Sequence, residues 1–175
     1  KIPVDHLDST YIFVPHIREQ HIENLCLCSP DFGGLKRIKK YKNILGGEMA
    51  VISKERLKPN QISSMEIIGD VSGKNVVLVD DMIDTAGTLC KAAELIMQSG
   101  AASVCAYASH GIFSGKASEN IDASPLKKIY VSDSVPFKAK SDKIEIVSTK
   151  ELFAMAVDRL FGHKSLKDIY VEKNL

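Results

Sequence analysis

Asp80-Asp81-Met82-Ile83-Asp84-Thr85-Ala86-Gly87-Thr88 sets two adjacent carboxylates and a Thr- and Gly-containing turn directly behind four apolar residues, Val76-Val77-Leu78-Val79. The apolar, mostly β-branched run predicts a buried strand that ends at the carboxylates. Residues 89–97 have helical composition up to a stop at Gly100. A strand–turn–helix of this kind aims backbone N–H groups and the hydroxyls of Thr85 and Thr88 at one point, on the positive end of a helix. That is an anion site sized for a phosphate, made by Asp84, Thr85, Ala86, Gly87 and Thr88. Asp80 and Asp81 cannot bind phosphate, but they accept hydrogen bonds from sugar hydroxyls or hold Mg²⁺. The segment therefore offers grips for the two ends of a ribose 5-phosphate. Strand-end capping by the two acids leaves the Thr-bracketed turn unexplained.

Two further loops carry chemistry. Asp31-Phe32-Gly33-Gly34 follows a strand-like run; its glycines allow backbone to approach a bulky anion, and Asp31 suits a metal or its water shell. Taken alone, this pattern is more often only a turn. Residues 53–64 carry Lys54 and Arg56, which share a side if the backbone is extended there. Two such cations closing over a polyphosphate would stabilise charge on transferred oxygens. On the residues alone, solvated surface is the simpler reading of this loop. The same holds for the basic run Lys36-Arg37-Ile38-Lys39-Lys40.

These loops must be positioned by a sheet. Strands are expected over 24–29, 48–53, 65–69, 76–79, 102–108, 128–132 and 144–147. Helices are expected over 9–23, 35–45, 88–99 and 149–161, the last with Thr149 as N-cap and Gly162 as stop. Strand and helix alternate, which predicts an α/β fold with a mainly parallel sheet flanked by helices on both faces. The loops then fall just past the C-terminal strand ends. The 175 residues fit one domain, 1–175. A formal charge of +1 lacks the basic stripe of a nucleic-acid binder, and no apolar run approaches membrane-spanning length. The chain opens at Lys1 without an initiator Met and reads as a fragment or a processed chain. Cys26 and Cys28 share one strand face, and with Cys90 and Cys105 they read as buried free thiols of a cytoplasmic protein rather than zinc ligands.

Residues 76–88 resemble the fingerprint of proteins that bind phosphoribosyl pyrophosphate on the type I phosphoribosyltransferase fold. Several other segments are similar, in order and spacing, to the ribose-phosphate pyrophosphokinase (phosphoribosyl-pyrophosphate synthetase) family. They are Ser29-Pro30-Asp31-Phe32-Gly33-Gly34-Leu35-Lys36-Arg37, Lys54-Glu55-Arg56 with Pro59-Asn60, Ile68-Gly69-Asp70-Val71 and Ser109-His110-Gly111-Ile112-Phe113-Ser114-Gly115. The likeness is to the C-terminal half of that enzyme and covers nearly the whole chain.

The resemblance implies transfer of the β,γ-diphosphoryl group of MgATP to the 1-hydroxyl of ribose 5-phosphate. It implies that Asp84, Thr85, Ala86, Gly87 and Thr88 cradle the 5-phosphate, and that Asp80 and Asp81 hold the ribose hydroxyls directly or through Mg²⁺. Asp31 would be a metal ligand, Asp31, Phe32, Gly33 and Gly34 the pyrophosphate loop, and Lys54 and Arg56 the catalytic cations. Alignment and charge neutralisation suffice for such a transfer. Partners implied are ribose 5-phosphate, ATP, the missing N-terminal half and further copies in a homo-oligomer, a hexamer in intact members. Nucleic acid and membrane are not among them.

The chain departs from the family pattern at Phe32, where a small residue or His is usual. It also departs at Ser165-Leu166-Lys167-Asp168-Ile169-Tyr170, where the family carries a Ser-Tyr-Leu-Phe-like segment linked to allostery. The family's metal-binding His belongs to the other half, and His6, His16, His21 and His163 match no ligand pattern. The fragment is expected to bind ribose 5-phosphate yet be deficient alone. Rival readings are a purine or pyrimidine phosphoribosyltransferase and a non-catalytic regulatory subunit associated with the synthetase.

Overall fold

Along β1 (Leu25–Ser29) and β4 (Asn75–Ile83), successive side chains face opposite sides of one sheet, and both sides are apolar. Cys26, Cys28, Val76 and Leu78 join one buried cluster; Leu27, Val77 and Val79 join the other. Burial on both faces is why these strands read as continuous apolar runs rather than alternating ones. The computed structural model describes residues 2, 4–55 and 64–169.

The other strands are β2 (Glu48–Glu55), β3 (Ser64–Ile68), β5 (Ser103–Gly111), β6 (Ile129–Ser132) and β7 (Ile144–Val147). They form a seven-stranded sheet in the order β3-β2-β1-β4-β5-β6-β7. Among the described residues, only the β2–β3 pair is antiparallel. Helices α1 (Thr10–Glu19) and α2 (Leu35–Leu45) cover one face through Phe13, Val14, Ile17, Ile38 and Tyr41. Helices α3 (Gly87–Gln98) and α4 (Ala117–Ala123) cover the other through Leu89, Ala92, Ala93, Ile96, Ala117 and Ile121. A fifth helix, α5 (Lys150–Phe161), packs Leu152 and Ala156 against Tyr11 and Ile169. From β1 the chain crosses outward to β2, whereas from β4 it crosses the other way to β5. The crevice beyond the C-terminal ends of β1 and β4 is therefore the topological switch point, where open α/β sheets bind ligands.

The elements differ from the sequence expectations in several places, with β2 running on to Glu55 and β5 to Gly111. Strand β4 does not end at the carboxylates: Met82 and Ile83 remain paired with His110 and Gly111 of β5. Helix α1 stops at Glu19 because His21 and Asn24 take positive φ of 46° and 47°. Helix α4 escapes the sequence pattern because its seven residues turn only Ala117 and Ile121 inward. Thr149 occupies the N-cap position of α5, but its hydroxyl donates to Asp133 Oδ1 at 2.6 Å instead of capping the helix.

Cys26, Cys28 and Cys90 are buried free thiols, while Cys105 is partly exposed. Burial pushes the Cys26 thiol up to about 11 and Cys28 up to about 12. Among the described residues, no helix is long and apolar enough to cross a membrane.

Candidate functional site

Five residues separate the twin acids from α3, and the last of them sets the helix start. Ala86 adopts left-handed backbone, φ +60°, although it carries a Cβ and is buried. Left-handed backbone is disfavoured for L-residues other than Gly, Asn and Asp, so the surrounding structure must hold Ala86 there. The first helical bond joins Cys90 N–H to Ala86 O at 2.9 Å. The N–H groups of Ala86, Gly87, Thr88 and Leu89 have no acceptor among the described residues, and no side chain caps the helix. The carbonyl side of the turn is engaged. Asn120 Nδ2 donates to Thr85 O at 2.9 Å, and the Ser114 hydroxyl donates to Asp84 Oδ1. Acceptors tied down and donors left open make an anion cradle at the positive end of a twelve-residue helix.

Asp80 and Asp81 stand next to this cradle at the switch point. Arg37 of α2 bridges them: Nη1 lies 3.1 Å from Asp80 Oδ1 and Nη2 lies 3.3 Å from Asp81 Oδ2. Nη1 also donates to Val79 O at 3.4 Å, and Asp81 N–H donates to Asp80 Oδ1 at 2.9 Å. Burial, with the Asp81 carboxylate beside it, pushes Asp80 up to about 6 despite Arg37. Partial burial also works against the charged form of Asp81. Its hydrogen bond with Asp80 and the Arg37 charge override that and hold it below the usual carboxylate range. Burial thus favours the neutral form of Asp80, while Asp81 keeps the firm negative charge. The reading of residues 36–40 as a solvated face is corrected here for Arg37, which turns inward. Lys40 does stay at the surface, paired with Asp8 at 2.5 Å.

On the β1 side, Asp31 caps the short 3-10 turn Phe32–Gly34 by accepting from Gly34 N–H at 3.1 Å. Gly34 is required by contact, not by φ. A Cβ there would collide with the buried Ser29 Oγ and lie 3.2 Å from Arg37 Nη1. Gly34, Arg37 and the acid pair are therefore one packed unit. Beside it opens a cavity of about 570 Å³, lined by Gly33, Lys36, Arg37, Asp81, His110 and Ser134 among others. The Phe32 side chain is half exposed.

No group of three or more His, Cys, Asp or Glu side chains that could hold a metal occurs among the described residues. Asp31 keeps one carboxylate oxygen clear of Gly34 N–H, while Arg37 engages both Asp80 and Asp81 and cancels one of their charges. That donor set suits a Mg²⁺ that arrives on substrate phosphates and takes one protein carboxylate, rather than a resident ion in an all-protein cage. Strand β2 includes the backbone of Lys54, but its side chain and all of Arg56 lie outside the described residues, as do Pro59, Asn60 and Tyr170. Sequence reasoning missed three supporting side chains. Arg37 was hidden in a basic run, Asn120 carried no signal, and Ser114 lay inside a quoted segment without an assigned role.

A family model described as the phosphoribosyl synthetase-associated domain matches residues 33–171. The chain is 46% identical over 170 residues to the ribose-phosphate pyrophosphokinase of Porphyromonas gingivalis, covering 97% of this chain and 54% of that protein. It is 41% identical over 170 residues to the ribose-phosphate pyrophosphokinase of Wolinella succinogenes, covering 97% and 55%. The crystal structure of phosphoribosylpyrophosphate synthetase from Mycobacterium smegmatis matches with a TM-score of 0.84 at 30% identity, over 92% of this chain and 53% of that one. Adenine phosphoribosyltransferase from Thermoanaerobacter pseudethanolicus matches with a TM-score of 0.54 at 18% identity, over 69% and 76%, a likeness of fold alone. The chain spans about half the length of the curated relatives it matches. Its fold is the mainly parallel, helix-flanked sheet of the type I phosphoribosyltransferases.

Proposed function

The chain belongs to the phosphoribosyl synthetase-associated domain family, and from that membership we propose that it is one half of a ribose-phosphate diphosphokinase. That enzyme moves the β,γ-diphosphoryl group of MgATP to the 1-hydroxyl of ribose 5-phosphate, giving phosphoribosyl pyrophosphate and AMP. The observation that carries the reading is the row of open amides at Ala86, Gly87, Thr88 and Leu89, set beside a pair of acids. A phosphate needs the first and a vicinal diol the second. One sugar phosphate satisfies both.

In this reading the amides and the Thr85 and Thr88 hydroxyls bind the 5-phosphate, while Asp84, held by Ser114, fixes the turn. Asp80 and Asp81 accept hydrogen bonds from the ribose hydroxyls directly, because Arg37 already supplies their counter-charge. Asp31 offers its free oxygen to Mg²⁺ carried by ATP, and Gly33 and Gly34 let backbone approach the transferring phosphates. The metal supplies charge neutralisation on the phosphates. Lys54 and Arg56 are proposed as the cations that stabilise the diphosphoryl group in transit.

The other half of the longer enzyme is proposed to complete the ATP site, so this chain alone binds ribose 5-phosphate without turnover. Cytoplasmic location and a homo-oligomer belong to the same proposal. Calorimetry with ribose 5-phosphate and Mg²⁺ is expected to show one site per chain, weakened in Thr88→Val and in Asp80→Asn. Absence of heat in the parent chain refutes the site. AMP formation from ATP by the isolated chain refutes the predicted deficiency.

A further inference from the structure

Thr85 O and Ala86 N–H belong to one planar trans peptide, so they point in opposite directions. The 2.9 Å bond from Asn120 Nδ2 to Thr85 O therefore turns the Ala86 N–H away from α4 and toward the cradle. It also ties down the residue before Ala86, which helps hold the left-handed turn. The cradle is thus only as well placed as α4, the helix that carries Asn120. That helix has seven residues and buries Ala117 and Ile121, a grip on one side that leaves its last turn to be held by other means.

An ammonium holds it. Lys143 Nζ donates to Ile121 O at 3.0 Å, to Asp122 O at 3.1 Å and to Ser124 O at 2.7 Å. These carbonyls lie at the helix C-terminus, where the run of intrahelical donors ends, and the three bonds use every donor an ammonium has. The clamp is fixed to the sheet, because Lys143 O accepts from Ile129 N–H of β6 at 2.8 Å. Beside it Ser141 Oγ donates to Asp122 Oδ1 at 2.5 Å, and Lys140 N–H donates to Ser118 Oγ at 3.2 Å. Residues 140–143 therefore fasten α4 to the β6–β7 edge of the sheet. The Cys90 thiol also donates to Asn120 O, at 3.4 Å, but a thiol is a weak donor and restrains the main chain rather than the Nδ2 amide.

We infer that Lys143 is a positioning residue for the anion cradle: through α4 and Asn120 it fixes the direction of the Ala86 N–H, and with it the hold on the phosphate of ribose 5-phosphate. Ribose 5-phosphate as the ligand rests on the proposed function, whereas the relay from ammonium to amide rests on the hydrogen bonds alone. Asn120 is the chain neighbour of Ile121, whose carbonyl the ammonium grips, so a shift of the last turn passes directly to Nδ2 and lets the 85–86 peptide rotate. Burial of Ala117 and Ile121 keeps the helix on the sheet without setting that angle. Stability and phosphate affinity therefore respond separately to loss of the ammonium.

Lys143→Met keeps the apolar stem and removes the three donors. By calorimetry with Mg²⁺ present, it should bind ribose 5-phosphate roughly threefold to fivefold more weakly than the parent chain. Because the relay runs through Asn120, adding Lys143→Met to Asn120→Ala should cost no further affinity. Lys143→Arg keeps both charge and donors and should bind more tightly than Lys143→Met. Lys128→Met removes a nearby cation, one that donates to Asp142 O and lies 3.7 Å from Glu145 Oε2, and should leave affinity unchanged. In NMR spectra without ligand, the Asn120 side-chain amide signals should move in Lys143→Met and stay in place in Lys128→Met. Losses that multiply in the double variant overturn the inference. So do equal losses in Lys143→Met and Lys143→Arg, or in Lys143→Met and Lys128→Met. If the parent chain binds no ribose 5-phosphate, the proposed function falls and the Asn120 signals decide the relay: signals unmoved by Lys143→Met overturn it.

Discussion

Replacing Arg37 by Leu removes the cation that bridges both acids while keeping the apolar stem. The charges it contacts lie at 3.1 and 3.3 Å, with side-chain exposures of 25% for Arg37, 22% for Asp80 and 68% for Asp81. Each attraction amounts to about 5 kcal/mol at an effective dielectric of about 20, before desolvation is charged against it. Solvent at Asp81 and the burial penalty take back most of that, leaving about 1–2 kcal/mol between the exposed and buried limits. Asp80 already sits at about 6, above its ordinary 3.8, so it favours the protonated form in the folded state. Loss of Arg37 raises it by about one further unit, about 1.4 kcal/mol.

The sign follows. A carboxyl raised on folding costs stability as pH climbs through its unfolded and then its folded pKa. At pH 5, Asp80 is mostly protonated in both proteins, and the variant loses only packing and the Asp81 contact. At pH 8 both acids are charged, and the variant is worse by about a further 1.4 kcal/mol. Urea melts at the two pH values, with a ¹³C titration of the Asp80 carboxyl, read both quantities. Equal losses at pH 5 and pH 8, with the Asp80 titration unmoved, refute the claim that Arg37 sets the charge state of the pair.

Gly34→Ala should lose about 2–3 kcal/mol, the upper part of the range for forcing atoms into a packed site. Adding Ser29→Ala, which removes the oxygen that the new Cβ would strike, should restore part of that loss in a thermal melt. Asn120→Ala deletes the bond to Thr85 O and should cost about 1 kcal/mol of stability. The same change should loosen ribose 5-phosphate roughly fivefold by calorimetry, since the carbonyl side of the turn is no longer held. The Cys26 and Cys28 thiols, pushed up to about 11 and about 12, should react with an aromatic disulfide reagent at pH 8 only after denaturant is added.

The fold was legible wherever an element was long and buried. Residues 76–79 announced a strand because both faces of β4 are covered, and residues 35–45 announced α2 because Gly46, at φ +76°, closes it. Legibility failed where pairing or contact, rather than local pattern, decides. Nothing in Asp80-Asp81-Met82-Ile83 reads as a strand, and β5 alone holds it extended. The twin acids and the Asp84–Thr88 turn were visible because chain neighbours form them. Arg37 was not, because its partners are about forty residues away and one turn of α2 separates it from Gly34. A basic helix in sequence has no face until the sheet assigns one.

Arg37 also explains how two acids can sit beside an anion cradle at all. Adjacent carboxylates next to a bound phosphate would repel it, and unscreened repulsion at a partly buried site amounts to several kcal/mol. Three features of the chain reduce that cost. The guanidinium cancels one negative charge, the raised Asp80 sheds part of the other near pH 6, and the open amides of α3 present positive potential to the phosphate alone. The first two act within β4, at Asp80 and Asp81, and the third begins five residues beyond Asp81, at Ala86. Acceptors and donors are thus kept apart along the chain, as the proposed sugar phosphate requires. A ligand with only one of the two groups would fill half of this arrangement. The proposed ribose 5-phosphate carries both.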